Sequence, residues 1–171
     1  MKLYFLLVMS LFKGPDLATS IYDLNIQSLD GKSISLSDYK GKKMIFEVSS
    51  PNNLQDSKIS FFDSLQKANP NTVVFIIPMQ DFNTGSIAYQ VGQIKKTVSP
   101  LVILTSGVYA KKTQGISQNV VLKWLTNASE NSHFDADVNT DEQIYIVNES
   151  GELYAVLQKG VSDQVVGQLI K

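Results

Sequence analysis

Between residues 44 and 77 the chain reads strand, helix, strand, and no other stretch restricts its possible folds as much. Met44 to Val48 is an apolar run broken only by Glu47, which suits a strand buried on both faces. Ser50 can cap a helix, and Pro51 suits its first position, where the missing N–H would lack a partner in any case. Leu54, Phe61 and Leu65 share one helical face, Ile59 and Phe62 widen it, and Asn69-Pro70-Asn71 ends it. Thr72 to Ile77 is then a second β-branched and aromatic run that stops at Pro78. A helix between two strands of one sheet makes those strands parallel and the crossover right-handed.

The flanking segments extend this unit. Ile21 to Ile26 reads as a strand, and Asp30-Gly31 is a tight-turn pair before the alternating Ile34 and Leu36, which predicts an N-terminal β-hairpin. Ser37 to Gly41 reads as a helical turn closed by glycine. Ile87, Val91, Ile94 and Val98 recur at spacings of an amphipathic helix, and Leu101 to Leu104 is a further strand. Residues 105–119 show no clear period, and Val120, Val121, Trp124 and Leu125 predict a short helix. Asn127 to Asp141 is a polar, acidic loop. Ile144–Val147 and Leu153–Leu157 are strands joined through Asn148-Glu149-Ser150-Gly151, and Ser162 can cap a last helix with Val165, Val166 and Leu169. The expected fold is α/β: a central mixed β-sheet flanked by helices on both faces, in the thioredoxin-like arrangement, with an N-terminal β-hairpin.

The first 20 residues read differently. Lys2 precedes an apolar run from Leu3 to Phe12, broken only by Ser10, and the small residues Ala18-Thr19-Ser20 follow. A basic end, an apolar stretch too short to span a bilayer and a small-residue site make a secretory signal, with the cut expected after Ser20. One domain is therefore expected over residues 21–171, in a protein exported to the periplasm or secreted. No later apolar run reaches membrane-helix length, so no stable membrane insertion is expected after signal removal.

Composition excludes several chemistries. The chain has 15 basic and 16 acidic residues, so no surplus of positive charge is present to neutralise nucleic-acid phosphates. It has no cysteine, which removes disulfides, zinc–thiolate sites and iron–sulfur clusters. His133 is the only histidine, and no nucleophile constellation forms around it.

Three segments resemble the opening of the glutathione peroxidase family: Ser20-Ile21-Tyr22-Asp23-Leu24, Leu29-Asp30-Gly31-Lys32, and Leu36-Ser37-Asp38-Tyr39-Lys40-Gly41-Lys42. Leu122-Lys123-Trp124-Leu125 and Tyr145 to Glu152 resemble the family's later helix and hairpin more loosely. The resemblance implies the glutathione peroxidase type of thioredoxin-like fold. It also implies peroxide reduction by a cysteine or selenocysteine at the start of the first long helix, assisted by glutamine, tryptophan and asparagine. Those four positions fall here on Asn52, Asp81, Thr140 and Asp141, and none keeps the family residue. A carboxamide is no peroxide nucleophile. Met79, the nearest sulfur to these positions in sequence, suits packing at a strand end.

Three function classes follow. The first is a non-catalytic, exported binding or structural module, monomeric and without a cofactor, whose partner is a protein or a small polar ligand. If family geometry holds, Asn52, Asp81, Thr140 and Asp141 converge on one polar pocket. The second is a peroxidase acting in oxidative-stress defence. The third is a weak divalent-cation module, because Asp135, Asp137, Asn139 and Asp141 alternate like the start of a calcium loop. Against it, Thr140 stands where that loop needs glycine and Ile146 where it needs a bidentate glutamate.

Overall fold

The computed structural model describes residues 18–82, 92, 93 and 101–171. The expected signal segment up to residue 17 and the helix expected around Ile87–Val98 lie outside the described residues. Strands β1 (Asn25–Gln27) and β2 (Ser33–Ser35) form the N-terminal hairpin. The main sheet contains β3 (Lys43–Ser49), β4 (Thr72–Pro78), β5 (Ile103–Leu104), β6 (Gln143–Val147) and β7 (Leu153–Gln158), in the order β5-β4-β3-β6-β7. β3, β4 and β5 run parallel, while β6 and β7 are antiparallel to their neighbours. The described helices are α1 (Asp56–Ala68), α2 (Val120–Thr126), α3 (Ala128–Asn131) and α4 (Asp163–Leu169).

The period-two alternation of the strands sorts their side chains into two cores. Met44, Phe46 and Val48 of β3 join Val73, Phe75 and Ile77 of β4 and Tyr145 of β6 on one face. Ile26 and Leu36 of the hairpin region and Val121, Leu122 and Leu125 of α2 cover that face. Ile45, Val74, Ile76, Ile144 and Ile146 point the other way, against Ile59, Phe62 and Leu65 of α1 and Val166 of α4. Helices therefore flank a mixed sheet on both sides, as the pattern predicts.

Several boundaries differ from expectation, for local reasons. Ile21–Asp23 is a 3-10 turn rather than strand, because the Ser20 hydroxyl accepts from the Tyr22 N–H at 3.3 Å and the Ser20 carbonyl from Asp23 N–H. The expected strand at Leu101–Leu104 is only two residues long. The loop from Asn127 to Asp141 contains the single turn α3, folded around buried Asn131. Asn131 donates to the Trp124 and Phe134 carbonyls and accepts from the His133 and Phe134 N–H groups. Ser162 occupies the position before α4 but its side chain makes no capping bond. Met79 is fully buried, as a packing residue should be.

The folded domain also reaches further back than residue 21. Trp124 Nε1 donates to the Thr19 carbonyl at 2.6 Å, and Thr19 Oγ1 donates to Glu130 at 2.7 Å.

Candidate functional site

β3 ends at the point where the sheet order reverses, with β4 on one side and β6 on the other. In open α/β sheets, the crevice beyond the carboxyl ends of the strands at such a point is where ligands bind. Buried Ser49 and Ser50 close β3 here, and the chain then makes a 3-10 turn over Pro51–Asn53. The expected helix start is corrected: α1 begins only at Asp56, after Gln55, and Ser50 makes no capping bond. Asp141 takes the Ser50 groups instead. Its carboxylate accepts from Ser50 N–H at 2.7 Å, Ser50 Oγ at 2.6 Å and Asn53 Nδ2 at 2.7 Å. Three such bonds to one anion fix the turn to the loop ahead of β6. Asn52 lies exposed on this turn, ahead of α1 rather than in its first turn.

Asp141 therefore bonds Ser50 and Asn53, on either side of Asn52, and Thr140 directly precedes Asp141 in the same loop. Asp81 accepts from the Ala110 N–H at 2.6 Å and from Lys111 N–H at 3.4 Å, so it ties down the 110–111 segment. Thr140 Oγ1 has a long 3.4 Å contact to the Glu142 carbonyl. Asp81 and Asp141 thus make their side-chain bonds to different segments, 110–111 and 50–53.

The alternating acidic loop is likewise drawn apart. Asp135 pairs with the Lys112 ammonium, and Asp137 accepts from the Lys112 and Val138 N–H groups. Asp141 turns to Ser50, and Asn139 is exposed. Among the described residues, no group of three histidine or carboxylate side chains is placed to hold a metal ion.

Beneath the Ser50 turn lies a group the family positions do not include. Glu47 is fully buried on β3, on the face that α1 covers. Its Oε1 accepts from Ser49 Oγ at 2.5 Å, while Oε2 has no partner among the described residues. Burial pushes its carboxyl up to about 7; the Lys58 ammonium and the Ser49 bond offset only part of that effect. Burial alone would lower the Lys58 ammonium, but the Glu47 and Glu142 carboxylates outweigh it and hold Lys58 above its ordinary value. Lys58 bonds Glu142 at 2.8 Å. Glu142 has φ +90°, a conformation that costs a non-glycine residue about 1–3 kcal/mol and persists only where neighbours enforce it.

Above this charge group opens a cleft of about 330 Å³. Asn53, Gln55, Ser57, Lys58, Glu142 and Lys159 line it. Its described lining is polar and charged, and Glu142 is paired with Lys58. The sequence signalled Glu47, as the single charge in a buried run. Lys58 and Glu142 carried no signal, because the crossover alone brings them together.

No protein-family model matches the chain, and no curated protein matches it by sequence. Solved structures do match. Trgpx in its apo form superposes with a TM-score of 0.67 at 15% identity, covering 90% of this chain and 94% of that one. GPX1 of T. cruzi gives a TM-score of 0.59 at 10% identity, covering 89% and 94%. A secreted Mycobacterium tuberculosis disulfide oxidoreductase, homologous to E. coli DsbE, gives 0.54 at 12% identity, covering 87% and 95%. The chain has a thioredoxin-like fold, and its structural neighbours include glutathione-peroxidase-like proteins and thiol-disulfide oxidoreductases.

Proposed function

We propose that this chain is a divergent, exported protein of the glutathione peroxidase type that has lost thiol and selenol chemistry and acts as a binding module. One observation carries the reading. The residue at the family's nucleophile position is Asn52, in a chain without any cysteine. The pinning of its turn by Asp141 supports the same reading, because a carboxylate beside that position would oppose the thiolate that the family chemistry requires. The polar cleft over Lys58 and Glu142 is the place for a small polar ligand or a protein side chain.

Export is supported by the N-terminal pattern and by the secreted neighbour of the same fold. The packing of Thr19 against Trp124 and Glu130 favours a cut ahead of Thr19 rather than after Ser20, since the later cut removes both bonds. Mass spectrometry of the processed protein should find Thr19 retained; a mature chain starting at Ile21 contradicts that placement.

Dithiothreitol-driven reduction of insulin disulfides tests the main reading. The protein should leave the background rate unchanged, and turnover would overturn the proposal. Asn52→Cys should restore little, because Asp81, Thr140 and Asp141 also replace the family's supporting groups.

A further inference from the structure

A second cleft, of about 450 Å³, lies between the N-terminal hairpin and the 106–109 segment. Its volume falls within the roughly 300–1,000 Å³ of small-molecule sites. Among the described residues no charged residue lines it, whereas Lys58, Glu142 and Lys159 line the cleft over the Ser50 turn. Its polar side chains are amides and hydroxyls, those of Asn25, Gln27, Gln80 and Asn119, three serines and Tyr109, with Ile26 and Val108 beside them.

The fold fixes two of these amides in complementary senses. Gln80 Nε2 donates to the Gly107 carbonyl at 3.1 Å, which leaves its Oε1 as an acceptor. Asn119 Oδ1 accepts from Val121 and Leu122 N–H groups, which leaves its Nδ2 as a donor. Asn25 and Gln27 have no side-chain hydrogen bond among the described residues and add both functions. The walls are braced to each other by main-chain bonds. Ser106 N–H donates to Gln27 O at 3.0 Å, and Gln80 N–H donates to Val108 O at 2.9 Å. A preformed site loses less freedom when it binds. Tyr109, 39% exposed, supplies an aromatic surface beside these polar groups.

A ligand that uses all of this must donate and accept at several points, carry no net charge, and present an apolar C–H face to a ring. An inorganic ion would leave half of each amide unused and find no counter-charge. We propose that this cleft binds a neutral, polyhydroxylated ligand, a glycan unit, held by the amides of Asn25, Gln27, Gln80 and Asn119 against the ring of Tyr109. The site is separate from the turn that carries Asn52, so it stands even if the reading of that turn fails.

The test is an NMR titration of the ¹⁵N-labelled protein with neutral mono- and oligosaccharides, and with glucuronate and N-acetylneuraminate as charged counterparts. At least one neutral sugar should shift the Gln27, Gln80 and Ser106–Tyr109 amides saturably, with a dissociation constant of about 1 mM or tighter. Saturation by monosaccharides identifies a free sugar as the source, and saturation by oligosaccharides alone identifies a polymer; either supports the site. Tyr109→Ala and Gln27→Ala should each weaken binding about tenfold or more, while Tyr154→Ala, another exposed tyrosine outside the cleft, should not. The proposal is overturned by an absence of saturable shifts, by shifts centred elsewhere, by equal binding of charged sugars, or by full affinity in Gln27→Ala. A neutral peptide that binds there when no sugar does overturns it as well.

Discussion

Glu47 carries a carboxyl group into a hydrocarbon layer between Ile45 and the α1 face, and this sets a pH dependence that can be measured. In the unfolded chain this group loses its proton near its ordinary 4.5, but in the folded chain it keeps it up to about 7. Across that window the unfolded state binds fewer protons, so stability falls as pH rises. The contribution is full well below pH 4.5 and is lost as pH rises through about 7, on the order of 3 kcal/mol. Urea unfolding at pH 5 and pH 8 should show this loss, and Glu47→Gln should remove it. An unchanged slope in the variant would assign the pH dependence to other groups. Asp141, in contrast to Glu47, has three hydrogen-bond donors around its carboxylate. Asp141→Ala should lower stability by about 1–3 kcal/mol, because the Ser50 and Asn53 donors lose their acceptor. At this scale the sequence was legible in part. An acid inside Met44–Val48 stands out, whereas the roles of Asp141 and Lys58 depend on residues some 90 positions away.

The elements are set by the same contest between local pattern and distant contacts. β3, α1, β4, β6 and β7 are readable because their apolar residues alternate, or recur at helical spacing, over several turns or residue pairs. The start of α1 was not readable. Ser50-Pro51 is a strong local capping signal, but the Ser50 hydroxyl bonds Asp141, and the chain spends Pro51–Asn53 in a tighter turn before α1 begins. The strand expected from Ile21 fails for a similar reason, since Ser20 turns the chain at its first residues. The β6–β7 connection shows how closely elements must fit. Gly151 has φ +83°, and a Cβ there would lie 2.5 Å from the Tyr22 ring, whose hydroxyl donates to Glu149 O. Gly151→Ala should therefore cost at least about 1–2 kcal/mol from backbone strain alone, read as a lower thermal midpoint. A neutral substitution would contradict both the backbone strain and the clash with the Tyr22 ring.

At the scale of the whole molecule, two apolar layers hold a five-stranded mixed sheet whose switch point still presents a turn, a cleft and a buried acid. The fold is thioredoxin-like, and the chain carries no cysteine. The fold was legible because it depends on many apolar positions, each of which tolerates exchange among hydrophobic residues. The candidate site was less legible: nothing in the sequence signalled that Asp141 would bond Ser50 and Asn53 on the turn that carries Asn52. No thiol or selenol chemistry should remain in this fold. Hydroperoxide consumption tests that claim most directly, measured with glutathione and with thioredoxin as reductants, each with its reductase and NADPH. The rate should equal that of the same mixture without the protein. NADPH oxidation that rises in proportion to protein and saturates with peroxide would contradict it.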